Sequence, residues 1–221
     1  MAAHLVPGLD FEGEAWSAGA TWVAGVDEVG VGPLAGPVTA AAVAMRRDQA
    51  CEWYEHVRDS KVLGAAARDT LAAQIRDSVP WAVGWATNQE IDRIGILPAR
   101  RLCMLRAIEG LGVQPDAVIS DALPLPLERV RAVIDGDALC VSVAAASIIA
   151  KVARDALMEE LDAQYPGWGF ARAEGAVPGR RAPAAPAGAV GPTPFFIAVP
   201  TRLLPSSPCH GERSPAHRSL R

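Results

Sequence analysis

Long apolar runs are missing from this sequence, and none reaches the ~18 residues that a membrane-spanning helix needs. A helical membrane protein is therefore excluded. The opening "MAAHLVPGLDFEGEAW" has no basic segment followed by a long apolar core, so no secretory leader is expected and the expected location is cytoplasmic. Cysteine is scarce. Cys51, Cys103, Cys140 and Cys209 lie far apart and form no CxxC pair, which favours reduced, mostly buried thiols over a redox or metal role. In the body of the chain His4 is near the terminus and His56 is isolated, which disfavours zinc. Lysine is scarcer still, with only Lys61 and Lys151. Acids are nearly absent from residues 176–221, where Glu212 faces six arginines, a net +5. The whole chain carries −4, so residues 1–175 carry −9. An acidic body argues against broad nucleic-acid affinity through charge alone. It leaves room for a site where bound cations reverse the local sign.

What is present points to one domain with a small appendage. Half of the 221 residues are apolar and 21% are charged, the balance of a soluble globular protein. "TWVAGV" and "VTAAAVAM" predict two strands in a hairpin, joined by a Gly/Pro loop. "GAAARDTLAAQIRDS" predicts a helix, with Leu71 and Ile75 spaced for one face. "WAVGWAT" and "DAVIS" predict strands, and a helix starting near Pro98 runs through "ARRLCMLRAIEGLG". "SVAAASIIAKVARDALMEELDAQY" predicts a long helix. Strands followed by alternating helix and strand imply an α/β layer fold with a mixed sheet. The expected division is an N-terminal extension over 1–19, a catalytic domain over 20–175 and a Pro/Arg-rich tail over 176–221. The tail holds nine of the 18 prolines and no lasting period, so it is expected to be disordered.

The chemistry-bearing residues are acids at strand ends. Asp27 and Glu28 end the run "WVAGV", and Asp121 ends "AVIS". Adjacent strand residues point to opposite faces, so Asp27 and Glu28 converge only if the backbone bends there. Asp155 lies on the long helix, one turn beyond Lys151; an i, i+4 ion pair with that lysine is its simpler reading. As a set, four carboxylates brought to one place would repel each other without counter-charge. Mg²⁺ or Mn²⁺, hard cations that prefer oxygen, would neutralise them. Two-metal phosphoryl transfer uses such a cluster. "GVGPLAG" is either a loop whose N–H groups approach a phosphate or sugar, or a tight hairpin turn. It is not a P-loop, because no Gly-Lys-Ser/Thr follows. Lys61 in "DSKVLG" is a phosphate contact or a solvated charge. Ser142, Ala145, Ala146 and Ser147 form a small-residue face, suited to close helix–sheet packing or to a nucleic-acid backbone.

Over about residues 22–170, two-thirds of the chain, the sequence resembles the ribonuclease HII family of the ribonuclease H-like superfamily. "GVDEVGVGPLAGPVTAAAV", "DSKVL", "NQEIDRIGIL", "SDALPLP" and "GDALCVSVAAASIIAKVARDALMEELDAQYPGWGF" carry the resemblance, in family order. The resemblance implies a ribonuclease H-like fold, with a mixed five-stranded sheet flanked by helices. It implies hydrolysis of RNA in RNA–DNA hybrids and at ribonucleotides embedded in duplex DNA, 5′ of the ribonucleotide, leaving 3′-hydroxyl and 5′-phosphate ends. It matches Asp27, Glu28, Asp121 and Asp155 to the acidic metal-site positions, with Mn²⁺ or Mg²⁺ as cofactor. It matches Gly30, Val31 and Gly32 to the loop that reads the ribose 2′-hydroxyl, with Lys61 and Ser142 as further nucleic-acid contacts. A monomer whose partners are nucleic acids, not membranes, is expected.

The sequence also departs from the family. Val31 stands where Arg or Lys is usual, Ala122 where Gly is usual, and Gly95 where Asn is common. After "YPGWGFARAEG" the family's Lys-Gly-Tyr-Gly-Thr stretch is missing. "FIAVPTRLLP" is compatible with bases that, in a shifted frame, spell His-Arg-Arg-Ser-Tyr-Ala-Pro, close to the family's usual ending, so a frame-shifted tail is the expectation. The alternative to a working nuclease is a weak or inactive hybrid-binding relic that has lost its C-terminal positioning segment.

Overall fold

The run Trp22–Val29 forms β1 and Val38–Arg46 forms β2. They pair antiparallel, Trp22 opposite Arg46 and Val29 opposite Thr39. The structure, a computed structural model, describes residues 6–32, 36–166 and 169–172. Trp81–Ala86 forms β3, Ala117–Asp121 forms β4 and Val130–Val133 forms β5. The sheet order is β3-β2-β1-β4-β5. The β1/β2 and β2/β3 pairs are antiparallel, while β1/β4 and β4/β5 are parallel. This is the mixed five-stranded sheet that the sequence implies.

Six helices accompany the sheet among the described residues: α1 (Asp10–Ser17), α2 (Ala65–Ser78), α3 (Asn88–Ile94), α4 (Ile96–Glu109), α5 (Gly136–Leu139) and α6 (Val141–Gln164). The alternation along β2 shows how the layers form. Ala40, Ala42 and Ala44 face α4, joining Ala99, Cys103, Met104 and Ala107 in one core. Ala41, Val43 and Met45 face the other way, into a core with α2 and α6. Small residues let the helices sit close. A Cβ on Gly25 would lie 2.2 Å from the Ser142 carbonyl carbon, and one on Gly84 2.1 Å from the Cys103 oxygen. Both contacts are backbone, so neither glycine can be replaced without moving a helix. The small-residue face of α6 thus serves packing on β1.

Three elements escape the sequence pattern. The α1 segment "DFEGEAWS" is only eight residues long and is held by tertiary contacts. Its Glu12 is fully buried and accepts hydrogen bonds from Ser142 N (2.8 Å) and Oγ (2.6 Å). Those donors lie in the first turn of α6, whose own N-cap Cys140 makes no side-chain cap; Glu12 caps that helix from a distance. A backbone bridge pairs Gly8 with Cys140. Residues 6–17 are therefore built into the domain that the sequence reading began at residue 20. The α3 helix is short and rests on a capping box between Thr87 and Glu90. Arg106 of α4 bonds Glu90 at 2.7 Å and holds its carboxyl down at about 2. The β5 strand has four residues on the sheet edge. The tail expected over 176–221, with its frame-shift, lies outside the described residues.

Candidate active site

The parallel β1/β4 pair brings acids together. Val26 pairs with Ser120, so Asp27 and Asp121 follow one step further on neighbouring strands. No bend is needed at Asp27, because β1 stays extended through Val29. The two adjacent acids instead leave opposite faces. Asp27 points to the α6 side, where the Ser147 hydroxyl bonds it. Glu28 points to the α4 side, where Arg100 Nε donates to its Oε1 at 2.7 Å. Asp27 also accepts the Glu28 N–H at 2.7 Å.

Burial and mutual repulsion dominate the electrostatics. Asp27 is 5% exposed. Burial first, then the charges of Glu28, Asp121 and Asp137, push its carboxyl well above the usual range, and the Ser147 hydroxyl offsets only part. Burial also raises Glu28, against the pull of Arg100 and with a push from Asp121. Asp121 is raised by burial and by Asp137, although it accepts the Gly136 N–H at 2.8 Å. Glu28 Oε2 is buried and has no hydrogen-bond partner. Four acids that act on one another, with one orphaned oxygen, call for more positive charge than Arg100 and Lys61 supply. A hard divalent cation supplies that charge, so the residues present fit Mg²⁺ or Mn²⁺. Among the described residues, however, no three acids or other ligand side chains already stand in metal-holding geometry.

The third acid coupled to Asp27 is Asp137, which sequence reasoning missed. It lies in α5, just past β5, and its Oδ2 is 3.3 Å from Lys61 Nζ. The signal was available: "RAVIDGD" ends an apolar run in acids, as "WVAGVDE" and "AVISD" do. Asp155 is engaged elsewhere. Its carboxylate takes Lys151 Nζ at 2.7 Å and lies 3.8 Å from Arg68 Nη2, the i, i+4 pair open from sequence.

The nucleic-acid candidates divide. Lys61 is well exposed beside Asp137 and also lies 3.7 Å from Asp59. Burial lowers its affinity for the proton, but Asp137, Asp59 and Asp27 together raise it, so it is a firm cation at the site. Ser142 requires a correction. It is fully buried, and both of its donors go to Glu12, so it presents nothing to a nucleic acid. Gly30 has φ 96°, and a Cβ there would meet Arg154 Nε at 2.5 Å. The buried Arg154 thus braces the start of the glycine loop from α6. Val31 is 37% exposed. Ala122 takes φ 48°, a left-handed conformation that favours glycine and gives a physical reason for glycine after the Asp121 position.

A mixed five-stranded sheet with acids gathered at the ends of its central strands defines a ribonuclease H-like protein. Comparison with known proteins narrows this. The family model for Ribonuclease HII matches residues 24–182. The "Ribonuclease HII" of Myxococcus xanthus (strain DK1622) is 49% identical over 170 residues, 76% of this chain and 57% of that protein. That of Dehalococcoides mccartyi (strain ATCC BAA-2266 / KCTC 15142 / 195) is 46% identical over 179 residues, 79% of this chain and 84% of that protein. Among solved structures, Bst-RNase HIII in complex with Mn²⁺ superposes with a TM-score of 0.57 at 27% identity, covering 68% of this chain and 57% of that one. The chain belongs to the ribonuclease HII family of ribonuclease H enzymes. It spans little more than half the length of the Myxococcus relative. No described helix is long and apolar enough to cross a membrane.

Proposed function

We propose that this chain is an endoribonuclease that cuts RNA in RNA–DNA hybrids and at single ribonucleotides embedded in duplex DNA. The cut falls 5′ of the ribonucleotide and leaves 3′-hydroxyl and 5′-phosphate ends. One observation carries the reading: Asp27, Glu28 and Asp121 stand at the ends of the neighbouring parallel strands β1 and β4, with Asp27 and Asp121 each one step past the pair of Val26 with Ser120, and Asp137 acts on Asp27 and Asp121. These four residues would hold two Mn²⁺ or Mg²⁺ ions, with Asp137 taking the place first assigned to Asp155. When bound, such ions activate water and stabilise the leaving oxygen of a phosphodiester. The Ser147 hydroxyl and the Glu28 N–H orient Asp27. The Gly136 N–H orients Asp121. The backbone of Gly30 to Gly32 reads the ribose 2′-hydroxyl, and Lys61 meets a backbone phosphate. The protein acts as a cytoplasmic monomer.

Exposed, apolar Val31 supports a second reading, a hybrid-binding protein of low activity. A duplex carrying one ribonucleotide separates the two. With Mn²⁺, the first reading expects a single cut that Asp27→Asn abolishes. Binding of that duplex without any metal-dependent cut supports the second.

A further inference from the structure

Arg100 has no part in the chemistry above, yet it holds one of the proposed metal ligands. It sits in the second turn of α4, about one quarter exposed, and pairs with a Glu28 side chain that is 6% exposed. Its Nε donates to Glu28 Oε1 at 2.7 Å, and its Nη2 lies 2.5 Å from the same oxygen. The guanidinium fork therefore closes on one oxygen instead of spanning both. The other oxygen, Oε2, is left buried and without a partner. Glu28 is the only acid paired with Arg100 among the described residues. The guanidinium takes the lone pairs of Oε1, and its positive charge beside Glu28 also opposes a cation at the free Oε2. This agrees with the lack of any three acids in metal-holding geometry.

We propose that Arg100 is a positioning residue that couples metal binding to nucleic-acid binding. With no nucleic acid, it occupies Glu28 and weakens the site for a divalent cation. When a hybrid arrives, a backbone phosphate takes the guanidinium, and Glu28 is released to the metal. A phosphodiester is the matching acceptor, being anionic and able to receive two parallel donors. Arg100 is placed for the exchange, since its partner belongs to the acid cluster and its side chain still reaches solvent. Coupling is reciprocal, so metal must raise hybrid affinity by the same factor. The inference rests on the metal-site reading above.

The test measures Mn²⁺ binding to the full chain by calorimetry, with and without a non-cleavable hybrid bearing 2′-fluoro ribose in its RNA strand. Wild type, Arg100→Met, Arg100→Lys and Asp27→Asn are compared, each checked by a cooperative melt. Without hybrid, Arg100→Met is expected to bind Mn²⁺ about tenfold tighter than wild type, the scale of one lost charge-assisted contact. Hybrid is expected to tighten Mn²⁺ binding about tenfold in wild type and not in Arg100→Met. Arg100→Lys, which keeps the charge and loses the fork, is expected to fall between, and it carries the test if Arg100→Met does not fold. Equal or weaker Mn²⁺ binding in both Arg100 variants, with Asp27→Asn still impaired, overturns the inference and leaves the metal site standing. Equal binding in wild type and Asp27→Asn overturns the metal-site reading, and the inference with it.

Discussion

Asp27→Asn should make the metal-free protein more stable, and the gain should depend on pH. The native carboxyl of Asp27 is raised by burial and by three neighbouring acids. A raised native value means that the folded state holds its proton more tightly than the unfolded chain does. That contribution is full below the unfolded value and is lost as pH rises through the native one. As pH rises above the unfolded value, the metal-free protein therefore loses stability to a carboxyl that is 5% exposed. Asparagine has the same shape and no charge. It keeps an acceptor for the Glu28 N–H and removes the repulsion from Glu28, Asp121 and Asp137. Its amide nitrogen needs a new partner among acids that can supply one. The net gain should be about 1–2 kcal/mol, the usual size of a stabilising change. For a chain of this length that is a rise in Tm of roughly 2–8 °C. Melts in chelator near pH 8 and in the acid range check this. The gain should be large at the higher pH and shrink at the lower. Added Mn²⁺ should raise the Tm of wild type and not of the variant. A variant less stable than wild type near pH 8, or a gain independent of pH, would refute the reasoning.

Two further perturbations probe the parts that support the site. Glu12→Ala removes the acceptor for two buried donors of Ser142 and should cost about 2–3 kcal/mol, read by denaturant unfolding. Because α6 follows directly on α5, its Mn²⁺ affinity should fall as well. Val31→Arg adds a cation to an exposed position of the glycine loop. It should tighten hybrid binding and steepen the salt dependence by about one unit, read as log Kd against log salt.

How much of this was legible in the sequence follows from which interactions write a local pattern. The β1/β2 hairpin is written as two apolar runs about a Gly/Pro loop, and α2, α4 and α6 as long stretches of helix-forming residues, so each was readable. Asp27, Glu28 and Asp121 were visible as acids closing apolar runs. Asp137 was not, because β5 is four residues long and was not read as a strand. Without that strand nothing marked Asp137 as an acid at a strand end. Asp155 shares a helix turn with Lys151, and the expected packing of its helix on the sheet, with the family resemblance, drew it into the metal set; the geometry gives it to Lys151 and Arg68. Ser142 faces the sheet and not a ligand because Gly25 admits the α6 backbone beneath it. The Glu12 cap spans 130 residues, and no local pattern announces so distant a contact. Nothing in the local sequence singles out Arg100; only the α4-to-β1 contact gives it Glu28 as a partner.

The central claim is that Asp27, Glu28, Asp121 and Asp137 form the metal site of a hybrid-cutting nuclease. The most direct measurement is Mn²⁺-dependent cleavage of an end-labelled duplex with one ribonucleotide, comparing Asp137→Asn and Asp155→Asn with the wild-type chain. The account predicts one cut 5′ of the ribonucleotide by wild type, a loss of about a hundredfold or more in Asp137→Asn, and a far smaller loss in Asp155→Asn. A wild-type chain that makes no metal-dependent cut would contradict it, as would Asp137→Asn cutting at the wild-type rate.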